Sequence, residues 1–184
     1  MIEIYVGGAI VAVLLIGLAL TFNRFIRGRN QLREAWSGID VQLKRRHDLV
    51  PRLVECVKGY RAHESSVLEN LTAARVQAEM AAGVEQTGQA ETGLTRHLRT
   101  LLAVAESYPD LKANQTFQQL SAALIEVEDQ LQYSRRYYNG AARDFNTLAE
   151  SFPSLVVARM FGFSTQPFFS LETASEGQTP VVAL

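Results

Sequence analysis

The sequence predicts an all-α protein: an N-terminal transmembrane helix followed by an antiparallel, up-and-down bundle of three to four long helices. Three observations predict it. A charge-free apolar run extends from Ile4 to Asn23. Beyond it, apolar side chains recur at steps of three and four, the spacing of helix faces that pack on one another. No parallel-sheet pattern is present, and five prolines in 184 residues are few for the many turns of a β-sandwich or barrel.

Composition sets outer bounds. A chain of 184 residues is one domain with an appendage, and 47% hydrophobic against 20% charged residues is not the balance of a disordered chain. Lys and Arg number 18 and Asp and Glu 19, for a net charge of -1. A nucleic-acid binder needs a basic excess to displace counterions, so none is expected as partner. The single cysteine, Cys56, excludes an intrachain disulfide and a cysteine-based zinc site. The expected organisation is a transmembrane anchor over 1–23, a helical bundle over 24–163 and a flexible tail over 164–184.

The anchor comes first. Some 20 residues rising ~1.5 Å each cross a ~30 Å hydrocarbon core. Ile4 and Phe22 mark the lipid-facing ends. A cleaved signal peptide would show a basic start and a small-residue cleavage site, and neither is present. Glu3 precedes the span, whereas Arg24, Arg27, Arg29 and Arg33 follow it. Positive residues stay in the cytoplasm, which places the N-terminus outside and the bundle inside. The arginines are also suited to anionic headgroups. Gly8 and Ala12 form a small-xxx-small pair, a weak signal for helix association.

From Trp36 the seam reads Ile39, Leu43, Arg46, Val50, Leu53, Val57, Tyr60, Glu64, Val67, Leu71, Ala74 and Ala78 in one phase. Pro51 lies within it and should kink a helix near His47 by removing one donor and crowding the carbonyl four residues back. Two readings remain open. In one, a long helix bends at Pro51 and continues to about Ala82. In the other, His47-Asp48 ends one helix and Asp48 caps the next, with Pro51 in its first turn. The unbroken phase favours the bent helix.

Residues 83–93, with three glycines among Glu, Gln and Thr, are expected to be a mobile solvent loop. The next helix carries Leu94, Leu98, Leu101, Ala105 and Tyr108 and stops at Pro109. Asn114 can cap the last long helix. That helix has an uninterrupted seam: Phe117, Leu120, Leu124, Val127, Leu131, Ser134, Tyr138, Ala141, Phe145, Leu148 and Phe152. Phe152-Pro153 ends it. A short helix from Ser154 to Phe161 is closed by Gly162. In the polar tail, Phe168 and Phe169 are expected to dock on the bundle.

Candidate chemistry is sparse. His63-Glu64 opens like a zinc-protease motif, but Val67 stands where the second histidine belongs. His47 and His63 are about 24 Å apart on one helix, too far to share an ion, and nothing in the sequence brings His97 to either. Cys56 has no helix N-terminus to activate it. No phosphate-binding glycine loop occurs. Glu126, Glu128 and Asp129 read as a solvated face. Two polar clusters stand out: Lys44, Arg45, Arg46, His47 and Asp48 around Pro51, and Arg135, Arg136, Tyr138, Asn139, Arg143 and Asn146 in the last long helix. A charge on an apolar seam is costly unless paired. Arg46 and Glu64 are therefore expected to meet opposite charges or polar groups on the last helix, either to fix register or to form a docking or ligand surface.

These residues resemble the LemA family of bacterial membrane proteins. The likeness rests on Ala35 to Pro51 (AWSGIDVQLKRRHDLVP), Val57-Lys58-Gly59-Tyr60, His63-Glu64, Ala105 to Asn114 (AESYPDLKAN), Arg135 to Asn139 (RRYYN) and Phe152-Pro153-Ser154. It covers about residues 22 to 163. Arg52 stands where the family pattern has asparagine, and Cys56 where it has threonine. The resemblance implies a single-pass protein of the bacterial inner (plasma) membrane with a cytoplasmic helical bundle, with no established activity and no cofactor. The leading expectation is a membrane-anchored scaffold or adaptor that binds its own copies or another envelope protein, with membrane lipid as a further partner. A sensor that holds a small molecule or lipid headgroup near Arg46, His47 and Arg136 is the second reading, and a metal-dependent hydrolase the third.

Overall fold

A 57-residue helix, α1 (Ile2–Lys58), opens the chain. Its continuity follows from the sequence: an apolar span runs without a helix breaker into the seam after it, and glycines at 28 and 38 cost too little to interrupt a helix packed over that stretch. The computed structural model describes residues 1–59 and 65–170. Five further helices follow among the described residues: α2 (Ser65–Met80), α3 (Val84–Glu106), α4 (Pro109–Lys112), α5 (Gln115–Glu150) and α6 (Ser154–Phe161). No strand occurs among the described residues. The fold is the all-α bundle behind an apolar N-terminal helix that the sequence predicts.

The chain divides into two units, one of Met1–Ser37 with Arg136–Pro167 and one of Gly38–Arg135 with the chain from Phe168. In the first, α1 and α5 run antiparallel: Phe25 meets Phe145 at 5.7 Å, and Trp36 meets Tyr138 at 5.5 Å. Phe25 is fully buried and Phe163 stacks on it at 4.5 Å. Gly28 lets the Phe145 ring come close, since a Cβ there would lie 3.0 Å from it and the ring would have to give way. The N-terminal span is long and apolar enough to cross a membrane, and none of it is buried.

In the second unit, Val50, Leu53 and Val57 of α1 pack with Leu68 and Leu71 of α2, Leu94, Leu98 and Leu101 of α3, and Phe117 and Leu124 of α5. Each of those hydrophobic side chains removes apolar surface from water at roughly 25 cal/mol per Å2. α2 and α3 form a hairpin that turns at Gly83 with φ +80, a left-handed conformation open to glycine at no steric cost.

Several expectations need correction. α1 continues through Pro51, so no hairpin forms at His47-Asp48; yet it ends at Lys58 rather than near Ala82. Residues 83–93 are not a loop: α3 begins at Val84 and takes in both remaining glycines. Gly88 is selected by packing, since a Cβ there would sit 2.6 Å from the Ser170 carbonyl oxygen. Phe152, expected to end the α5 seam, falls beyond the helix and is 84% exposed. Residues 164–170, where a loose tail was expected to begin, are tied down: Gln166 N–H donates to Asn146 Oδ1 at 2.7 Å, and Asn146 Nδ2 donates to the Gln166 carbonyl at 2.9 Å. Phe169 is fully buried, as expected of a docking aromatic, whereas Phe168 is half exposed. Asn114 caps α5 by accepting from Phe117 N–H at 3.0 Å, and Gly162, φ +72, closes α6 as predicted.

Candidate functional site

The seam of α1 delivers an arginine into the second unit. Arg46 is three residues from Leu43 and four from Val50, on the same buried face, so its guanidinium enters the bundle with 2% exposure. A charge so placed must be paired. Arg46 Nη1 meets Glu91 Oε2 of α3 at 3.0 Å, and Nη2 meets Glu128 Oε2 of α5 at 3.1 Å. Nη2 also donates to Thr95 Oγ1 at 2.7 Å, and that hydroxyl donates to the Glu91 carbonyl at 2.8 Å. His47 completes the set, its Nε2 lying 2.6 Å from Glu91 Oε1. With Glu91 as a carboxylate, an acceptor only, Nε2 carries the proton it donates.

The arrangement is graded. Glu91 has no exposed surface and divides its two oxygens between Arg46 and His47. Glu128 is 33% exposed and links the guanidinium to solvent. Two buried polar atoms here, Arg46 Nε and Gln42 Oε1, have no hydrogen-bond partner. One turn on, Pro51 has no N–H to give to the His47 carbonyl. Arg75 of α2 donates its Nε–H to that oxygen at 2.9 Å and pairs with Glu79 at 2.6 Å. A guanidinium from a neighbouring helix thus replaces the bond that proline removes.

The predicted site residues are distributed unevenly. Arg46 finds an acid on the last long helix as expected, and Glu128 is a partner of the buried guanidinium rather than part of a merely solvated face. Lys44, Arg45 and Asp48 are exposed. Arg135 is half-buried in the second unit; Arg136 and Arg143 are exposed in the first. Tyr138 is buried and donates to the Pro167 carbonyl at 3.1 Å, and burial pushes its phenol up from the ordinary value. Asn146 holds Gln166. Asn139 is half-buried. The Cys56 thiol is likewise pushed up by desolvation, away from the thiolate a nucleophile needs. Glu64 and His63 lie outside the described residues. No group of three His, Cys, Asp or Glu that could hold a metal occurs among the described residues.

Sequence reasoning missed Glu91 and Thr95. A signal was present. Counting back from Leu101 through Leu98 and Leu94, the same three-four steps reach Glu91, Thr87 and Val84. Glu91 is therefore the acidic seam position of α3, as Arg46 is the basic one of α1.

A family model described as the LemA family matches residues 35–184. The chain is also similar to the magnetosome proteins MamQ 1 and MamQ 2 of Paramagnetospirillum magneticum (strain ATCC 700264 / AMB-1), each 24% identical over 191 residues, which is 90% of this chain and 70% of theirs. It is similar to protein LemA of Metamycoplasma hominis, 28% identical over 143 residues, 74% of this chain and 63% of that protein.

Proposed function

The chain belongs to the LemA family, and on that premise we propose that it is a membrane-anchored helical scaffold that acts by binding proteins and performs no catalysis. The observation that carries the reading is a pair of large apolar side chains exposed on α5, one turn to either side of Asp129. Ile125 is 62% and Tyr133 60% exposed, eight positions apart on the sector turned away from buried Leu124, Val127 and Leu131. Large apolar side chains held out on a long helix are what a further helix needs for side-by-side packing.

The buried network supports the same reading. Arg46, His47 and Glu91 pair with one another and are buried, which suits a register lock between helices. A proton-transfer site would have to reach a substrate, and Arg46 is 2% and Glu91 0% exposed. The exposed N-terminal span supports single-pass insertion in a bacterial inner membrane. The arginines after it favour an external N-terminus and a cytoplasmic bundle. The partner is a second copy of this chain or another envelope protein.

Site-specific photocrosslinking in intact membranes tests this. A benzophenone side chain in place of Ile125 or Tyr133 should give discrete adducts, whose masses identify the partner. Uncrosslinked monomer from both positions, with nothing co-purifying after mild detergent extraction, would refute scaffolding.

A further inference from the structure

The exposed apolar residues of the first unit gather at one place. α6 buries Ser154, Val157 and Ala158 and turns Val156, Met160 and Phe161 outward at 55%, 59% and 46% exposure. Phe152, just before it, is 84% exposed. The helix contains no acidic residue, and its one charge is Arg159. Its height on α1 is fixed. Phe161 packs edge-on against Phe22 at 4.8 Å. Gly162 then reverses the chain, and Phe163 returns onto Phe22 at 5.8 Å and Phe25 at 4.5 Å. Phe22 is the last apolar residue of the charge-free span, and Arg24 follows it. The α6 face is therefore level with the point where a membrane-crossing α1 would leave the hydrocarbon core. At the same level lies an open crevice of about 600 Å3, walled by Thr21, Arg24 and Arg27 of α1 and by Asp144, Ser151 and Phe152.

We propose that α6 and Phe152 form a second membrane contact, buried at the headgroup–acyl boundary beside α1, with Arg24 and Arg27 receiving the phosphate of an anionic phospholipid in the crevice. The face is continuous with the lipid-exposed span, so bilayer is the occupant already present at that height. A short helix with an apolar outer face, a basic side chain and no acid matches the chemistry of an interfacial segment. The two arginines of the crevice supply the positive potential that anionic headgroups seek. Asp144 on the far wall repels a phosphate, which confines it to the α1 side. Thr21 and Ser151 line the same crevice and add hydroxyl donors.

The proposal rests on the anchoring of α1, and the test separates the two. In the full chain with Trp36→Phe, tryptophan is introduced singly at Met160, Val156, Val13 or Tyr137, and each protein is reconstituted in phosphatidylcholine vesicles containing shallow-brominated lipid. Tyr137 is exposed and adjoins Tyr138, which packs on Trp36, about 20 Å along α1 beyond Asn23. Met160→Trp and Val156→Trp should be quenched at least about twofold more than Tyr137→Trp, as interfacial burial requires. Phosphatidylglycerol should deepen the quenching at position 160, and Arg24→Gln with Arg27→Gln should abolish that gain. Quenching at Val13 with none at 156 and 160 overturns the proposal and leaves the anchor standing. Silence at Val13 as well overturns both. Protection of 160 that rises with protein concentration rather than with lipid assigns the face to a second copy. Competition by inorganic phosphate makes the crevice a site for free anions and overturns the lipid assignment.

Discussion

Glu91 concentrates the energetics of the second unit in one side chain. Wholly buried, it is compensated by Arg46 and His47 alone. Removing one partner of such a pair costs more than the pair itself contributes, because the survivor stays buried with its charge. Arg46→Met should therefore destabilise by about 3 to 5 kcal/mol, read as a lowered midpoint in urea. Thr95→Val, which removes one neutral partner, should cost only about 1 kcal/mol. Arg46→Met combined with Glu91→Leu should recover much of the loss, since apolar packing replaces both charges. A double variant no more stable than Arg46→Met would show that the carboxylate of Glu91, left without Arg46, is not the source of the loss.

At the scale of the element, Pro51 is the test of what holds a long helix together. An interior proline costs about 3 kcal/mol through a lost bond and a crowded carbonyl. α1 continues because Arg75 supplies the His47 carbonyl with another donor. Pro51→Ala should restore the N–H and stabilise the chain. Arg75→Met should cost about 1 to 3 kcal/mol with Pro51 in place and distinctly less in the Pro51→Ala background, where the carbonyl has its own helical partner. Equal costs in the two backgrounds would mean that Arg75 works through Glu79 and not through the carbonyl. This element also shows what a sequence can reveal. The α5 seam, the Asn114 cap and the Gly162 closure were legible because each depends on residues within a turn or two. The rescue of Pro51 was not, because the donor lies 28 positions from the His47 carbonyl it serves. α3 was misread for a related reason. Gly88 and Gly93 lower local helix propensity, but Gly88 answers a close approach from Ser170, and tertiary packing overrides propensity. Glu91 went unseen although it sits in phase with Leu94 and Leu98, since a polar residue on a seam is read first as a break in it.

For the molecule as a whole, the distribution of charge along α1 matters more than its sum. The net charge of -1 says little about placement, whereas Glu3 on one side of the span and Arg24, Arg27, Arg29 and Arg33 on the other say a good deal. Arginines within some 15 to 20 residues of a span resist translocation, and acids contribute little. The chain should hence insert with its N-terminus outside. A fluorescent protein fused after Leu184 should mature and fluoresce in intact cells, and alkaline phosphatase at the same point should be inactive. Replacing the four arginines by glutamine and adding lysines before Ile4 reverses the bias, and both reporters should then switch. The register lock of Arg46 and Glu91 lies beyond these arginines and does not depend on them, so the reversed protein should keep its helical circular dichroism. Unchanged reporters after reversal would mean that the bundle folds before the span is inserted, and that folding rather than charge sets the orientation.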